Sequence, residues 1–553
     1  MAYALITGGW LSGGCYNSDA YFMTQATATE ASDGGSGSGT ASGSSASPTS
    51  STTFDPATTT GDDTTGPATI GDATTGGTEE PDDLPTVSLG VSPMALSEAG
   101  PVDLAVTHSP DVTTLFLRDN GVEELSWSVD EAPPAYLITD SGVDGVHKLQ
   151  VRGVNAENEE AFSEVVPVTT KMPAAGEPLW KATLDLAEPN EGRDLVSGIG
   201  SSGSIELLLG VDAEWKGYAA RLSAEGEPAM VVAPLDYGLT SIGGVAHGPD
   251  GEAVVVGTEV SGDSTRMWIA RVDPLGGVLD LDYGKLGDAA TGVAVDRETG
   301  RIYVSGFRHT PDLKGVFDAM LWAHGPDGGV IWEHQWERPV ANVEIKGAAT
   351  DVAWDVALHP SADPDAPDDV IFVGESRLAV GNESPRYRAF ARRYDAQGEL
   401  LAAWLSSSPP LEEAGARSIL ALPEGVLVGG WSSANPESMS ASTIFFLSAQ
   451  LDAEATHLHG SEGAFEVIQD LQQLPHGEYV YVTDVDVDAP ARHDVEVRAL
   501  RKPASEFVWT RKLSAAEEVR GNALTVTPYG HVIVLSTEYG AGSSRIVLSA
   551  FHP

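Results

Sequence analysis

Residues 290–338 decide the fold. They read Ala290-Thr-Gly-Val-Ala-Val-Asp296, then Gly300-Arg-Ile-Tyr-Val-Ser-Gly306, then Asp318-Ala-Met-Leu-Trp-Ala-His-Gly-Pro-Asp-Gly-Gly329, then Val330-Ile-Trp-Glu-His-Gln-Trp336. Four short apolar, β-branched runs are separated by Gly, Pro and Asp turn formers. Such runs read as strands, and four in succession read as an antiparallel meander. A sheet of this kind buries both faces by stacking on copies of itself, so the chain is expected to repeat it.

The repeat is degenerate but present. Its first strand and turn recur at Leu195, Val245, Val293, Val352, Ile419, Leu471 and Leu524, at spacings of about 48 to 67 residues, near the range of propeller repeats with loop insertions. Second strands end on small residues, as in Val254-Val-Val-Gly257, Ile302-Tyr-Val-Ser-Gly306, Ile371-Phe-Val-Gly374 and Val426-Leu-Val-Gly429. Trp332, Trp404 and Trp509 mark fourth strands. The seventh repeat stops at Pro553 without its fourth strand, while a strand of that type, residues 178–185, stands alone before the first repeat. Pairing the two would latch a ring and remove a free sheet edge. The expected fold class is therefore all-β: a seven-bladed β-propeller over residues 174–553, with an eight-bladed ring or an irregular sandwich array as the competing arrangements.

Composition bounds the partners. The 553 residues carry 81 acidic and 31 basic side chains, a formal charge of -50. That balance argues against nucleic acid or anionic lipid surfaces, which demand basic patches. Cys15 is the only cysteine, so neither an intrachain disulfide nor a thiolate metal cluster can form. No apolar run reaches the roughly 18 residues of a membrane-spanning helix.

Residues 16–84 collapse to Gly, Ser, Thr, Ala, Asp and Pro. Low hydropathy and purely acidic charge do not offset ordering entropy, so a disordered linker is expected, with an end-to-end distance on the order of 45 Å. Its Ser, Thr and Pro content also suits O-glycosylation. Before it stands Leu11-Ser-Gly-Gly-Cys15, closing a short apolar segment. This segment, residues 1–15, resembles the signal peptide and lipobox of bacterial lipoproteins. The resemblance implies diacylation of Cys15 and an exported protein on the outer membrane or cell surface. Ser12 stands where that family has an aliphatic residue, and no Lys or Arg precedes the apolar run, as a start codon placed too far downstream would produce. An incidental cysteine in a poorly folded terminus is the plainer reading.

Residues 85–173 alternate apolar and polar residues in six or seven runs, among them Val102-Asp-Leu-Ala-Val106, Thr114-Leu-Phe-Leu117 and Gly145-Val-His-Lys-Leu-Gln-Val151. Runs of that number and length point to a β-sandwich of immunoglobulin-like type. Phe116 to Val122, Tyr136 and Gly145-Val-His147 resemble the Ig-like modules of bacterial surface proteins, which implies a spacer or adhesive unit. The Cys–Trp–Cys signature of antibody domains is absent.

Motifs for chemistry are sparse. Neither a zinc-binding His-Glu-x-x-His helix nor a phosphate-cradling loop occurs. His457 and His459 at i, i+2 could share a strand face as metal ligands, but surface histidines are the simpler reading. Asp363, Asp365, Asp368 and Asp369, and Asp484, Asp486 and Asp488, are clusters that could hold Ca²⁺. Neither has the spacing of a calcium loop, so solvated acidic loops are expected and no cofactor is called for. The tryptophans resemble those ending the repeats of quinoprotein propellers, but the cysteines and cofactor site of that family are missing; inter-sheet packing suits them better.

Function is expected at one mouth of the ring's channel, where the residues opening each first strand would gather: Arg193-Asp194, Gly243-Gly244, Thr291-Gly292, Thr350-Asp351, Arg417-Ser418, Gln469-Asp470 and Asn522-Ala523. Arg417 among Asp194, Asp351 and Asp470, with Asn522, would make a mixed-charge funnel; a water-filled channel with structural hydrogen bonds is the plainer alternative. The propeller segment resembles degenerate propeller repeats of secreted and lipid-anchored bacterial proteins, which implies binding or scaffolding. The expected protein is thus a monomeric, non-enzymatic surface lipoprotein binding a protein or glycan. The competing reading is a secreted hydrolase or lyase acting at the channel mouth.

Overall fold

The computed structural model describes residues 85–553 apart from short connecting segments, the longest being 339–348. Residues 1–84, with Cys15 and the linker, lie outside the described residues. Every regular element among the described residues is a strand.

Residues 87–170 form two sheets, one of three strands and one of six. Val102, Leu115, Leu117, Trp127, Leu149 and Val151 alternate inward and are buried between them. Asp119 is buried too, and its Oδ2 receives the Tyr136 hydroxyl at 3.0 Å and faces His147 Nδ1 at 2.5 Å. The strand Val122–Ser128 escapes the alternation rule, because Val122, Glu123 and Glu124 all face solvent.

Downstream, the chain folds into four-stranded antiparallel sheets spanning 190–232, 239–286, 288–336, 349–405, 413–459 and 464–513, and a last one built from 518–551. The last sheet takes its outer strand from Pro178–Leu184, which pairs antiparallel with Ser543–Phe551, Ala182 opposite Leu548. Lys181 reinforces the seam at 2.7 Å from Glu538. Sheets are numbered one to seven below in that order.

The first strands of successive sheets pack on one another, and that of the seventh packs on that of the first. The array is propeller-like. An apolar cluster fills each interval: Leu535 with Leu209, Leu208 with Trp268, Val256 with Trp322, Tyr303 with Phe372, Val373 with Phe445, Phe446 with Tyr481, and Val482 with Val534. Each such side chain contributes roughly 1.5–3 kcal/mol by leaving water. Trp332, Trp404 and Trp509 lie in these intervals, against Tyr394, Phe445 and Phe551 of the neighbouring sheets.

One irregularity recurs in all seven sheets. The ladder between first and second strands shifts by one residue at Gly192/Asp194, Ile242/Gly244, Ala290/Gly292, Ala353/Asp355, Ala416/Ser418, Ile468/Asp470 and Gly521/Ala523. These are β-bulges, which leave one residue unpaired and re-aim its side chain. The bulged residues are Arg193, Gly243, Thr291, Trp354, Arg417, Gln469 and Asn522.

Candidate functional site

The bulges position the polar side chains that the sequence singles out. Asp194 and Asp470 directly follow a bulged residue. Each carboxylate caps its own strand and reaches the next sheet. Leu195 N–H donates to Asp194 Oδ1 at 2.7 Å and Val245 N–H to Oδ2 at 2.8 Å. Leu471 and Leu524 N–H groups bind Asp470 in the same way, at 2.7 and 2.9 Å.

Sheet four corrects one expectation. The residue equivalent to Asp194 and Asp470 is Asp355, not Asp351. Asp355 accepts Val356 N–H at 2.7 Å and, across the interval, Ile419 N–H at 2.9 Å. Asp351 lies four residues earlier, fully buried, where it accepts Arg338 N–H at 2.9 Å. The strand carries Asp-Val-Ala twice, at 351–353 and 355–357. Apolar patterning fits either copy; only the bulge distinguishes them.

The three staple carboxylates are half-buried and close enough for their charges to act on one another. Removal from water raises all three above the ordinary aspartate range. Asp355 is pushed up to about 7 by burial, against the pull of its two backbone donors, and the Asp194 charge adds to the rise. Asp470 rises well above its usual value, by burial and then by Asp355 and Asp194. Burial likewise lifts Asp194.

A second tier of contacts lies on the second strands. Asp212 Oδ1 accepts Ile242 N–H of sheet two at 2.8 Å while its Oδ2 holds the bulged Arg193 at 2.7 Å. Asp484 accepts Gly521 N–H of sheet seven at 2.7 Å and the amide of the bulged Gln469 at 3.0 Å. Thr537 accepts Gly192 N–H of sheet one and donates to the bulged Asn522 Oδ1 at 2.9 Å. Thr258 accepts Ala290 N–H of sheet three at 3.2 Å. Thus Asp484, read from sequence as part of an acidic loop, sits within a strand and is pushed up to about 7 by burial.

Arg417 departs from the expected funnel. Its guanidinium stacks 4.1 Å over the Trp354 ring and donates to Glu375 Oε1 at 3.2 Å. No sequence signal joins Glu375 to Arg417, because their strands belong to different sheets. Asp194, Asp470 and Asn522 take their places at successive bulges, whereas Asp351 does not.

The remaining candidates are dispersed. His457 and His459 share one face of an outermost strand but pack edge-on against Phe446 and Phe507. Asp369 pairs with Arg393 at 2.5 Å, both buried; Asp363, Asp365 and Asp488 lie outside the described residues. Among the described residues no group of three or more His, Cys, Asp or Glu side chains is arranged to hold a metal ion.

No family model matches the chain, nor does any curated protein. Among solved structures, a protein of unknown function from Dyadobacter fermentans is 10% identical with a TM-score of 0.38, covering 69% of this chain and 100% of its own. Sqt1 of Chaetomium thermophilum, bound to the N-terminus of ribosomal protein L10, is 11% identical at 0.38, covering 68% and 100%. A quinonprotein alcohol dehydrogenase-like protein from Bacteroides thetaiotaomicron is 10% identical at 0.33, covering 77% and 96%.

Proposed function

We propose that this chain is a surface-displayed binding protein. Its head, residues 174–553, is a seven-bladed β-propeller closed by the strand before it, with residues 85–173 an Ig-like spacer. A tether over residues 16–84 and a lipid on Cys15 hold the head away from the membrane of an exporting cell. Two acyl chains suffice for stable anchoring. The partner is a protein or glycan.

One observation favours binding over catalysis by the first-strand aspartates. A hydrolase or lyase built on them needs a carboxylate free to take or give a proton at substrate. Asp194, Asp355 and Asp470 commit both oxygens to main-chain N–H groups of their own and the adjoining sheet. They act as sheet-to-sheet fasteners.

The test has two arms. Membrane fractionation of cells expressing the full chain should find it in the membrane pellet, and Cys15→Ala should release it; a Cys15→Ala protein that stays in the pellet contradicts the anchor. The released chain, screened against glycans and cell-surface proteins, should retain a partner. Retention of none, together with turnover of a glycoside or ester substrate, would replace binding with catalysis.

A further inference from the structure

The repeat supplies its own control for where a ligand would sit. The position occupied by Asp212, Thr258, Asp484 and Thr537 on the second strands is filled in sheet four by Glu375, opposite Val352 one step before the bulge. At those four junctions the side chain accepts an N–H from the next sheet's first strand, and in three of them it also bonds its own sheet's bulged residue.

Sheet four breaks this pattern. Its bulged residue is Trp354, and Glu375 reaches instead to the next sheet's bulged residue, Arg417. The result is a buried carboxylate oxygen, Glu375 Oε2, and a buried indole N–H, Trp354 Nε1, each without a hydrogen-bond partner. Glu375 is 93% buried, its relative exposure being 7%. A buried charged acceptor left unpaired costs more than a made bond gains. The Arg417–Glu375 contact is a single bond at 3.2 Å, not a fork, and so can yield. Trp354 and Arg417 are half-buried, and Glu375 Oε2 packs against Gly415 next to the Trp431 indole nitrogen.

We propose that Trp354, Glu375 and Arg417 form a subsite for a neutral saccharide. This rests on the reading of the chain as a binding protein. A sugar hydroxyl both donates and accepts, so one hydroxyl pair satisfies Glu375 Oε2 and Trp354 Nε1 together, and the spare Arg417 N–H groups take a third oxygen. The ring carbons lie against the Trp354–Arg417 stack. Glu375 and Arg417 cancel in charge, which selects against an ionic ligand. The formal charge of -50 further repels polyanionic glycans.

The probe is a panel of neutral oligosaccharides of glucose, mannose, xylose and N-acetylglucosamine, with uronate oligomers as the anionic arm, read by tryptophan fluorescence on the full chain. At least one neutral oligosaccharide should bind. Trp354→Phe, which removes only the indole N–H donor and part of the ring, should weaken it about tenfold, as should Glu375→Gln, with unchanged melting temperatures. Saccharide binding unaffected by both substitutions places the glycan elsewhere and overturns the subsite while leaving the binding protein intact. Preference for uronates, or capture of a protein with no saccharide bound, overturns it as well. Failure to bind either saccharide or protein overturns both readings.

Discussion

At the residue scale, the staple carboxylates set the pH response. Folding moves Asp355 from an ordinary 3.8 up to about 7, and Asp484 likewise. Between those values the native chain holds protons that the unfolded chain has released, so stability falls as pH rises through that window. Glu252, Glu333 and Glu538 act oppositely: although burial raises them, their ion pairs with Arg271, with Lys285 and Arg308, and with Lys181 and Arg545 hold them below 4.5. Their contribution is lost as pH falls below that value. Burial lowers His247, His324, His359 and His459, which adds stability as pH rises towards 6.5 and opposes the aspartates. Asp355→Asn, which keeps an acceptor without a charge, should therefore gain melting temperature over the parent as pH rises from 3.8 to about 7. A difference between the two proteins that does not grow across that window would rule this out. The sequence pointed to Asp194 and Asp470 because apolar patterning aligned their repeats. It misplaced the third member because Asp-Val-Ala occurs twice in one strand and apolar patterning fits either copy. Glu375 was invisible for a different reason: its partner Arg417 is 42 positions away in the next sheet.

At the element scale, the bulge explains the glycines of the second strands, which lie within those strands and do not end them as the sequence pattern suggests. It turns a first-strand carbonyl towards the second strand. A Cβ on Gly306 would stand 1.9 Å from Ala289 O, on Gly374 2.0 Å from Val352 O, and on Gly257 2.1 Å from Ser241 O. In sheet five the same role falls to Gly430, 2.0 Å from Gly415 O, one place beyond the Gly429 that the sequence pattern marks. Gly374→Ala must push back main chain in a filled core, and should cost about 1–3 kcal/mol in denaturant unfolding. A loss within a few tenths would mean that the bulge relaxes freely. Second and third strands were legible because they are buried on both faces and read as unbroken apolar runs. Outer strands such as Val278–Leu286 and Ala453–His459 were not, since most of their residues face solvent and nothing selects an apolar period there.

On the whole-molecule scale, closure is a long-range event. Pro178–Leu184 joins a strand more than 350 residues away, and Glu538 gathers Lys181 at 2.7 Å and Arg545 at the same seam. Deleting residues 178–184 bares the edge of the strand Ser543–Phe551, so the shortened chain should melt at lower temperature and self-associate in sizing experiments. A monomer as stable as the parent would show that the seam contributes nothing. The central claim is that the carboxylates following the bulges fasten one sheet's inner strand to the next. Amide hydrogen exchange on Asp355→Ala tests it most directly. The account predicts faster exchange at Ile419 N–H, in the neighbouring sheet, with Val245 and Leu524 N–H protected as in the parent by Asp194 and Asp470. Unchanged protection at Ile419, or an equal loss at all three, would contradict it.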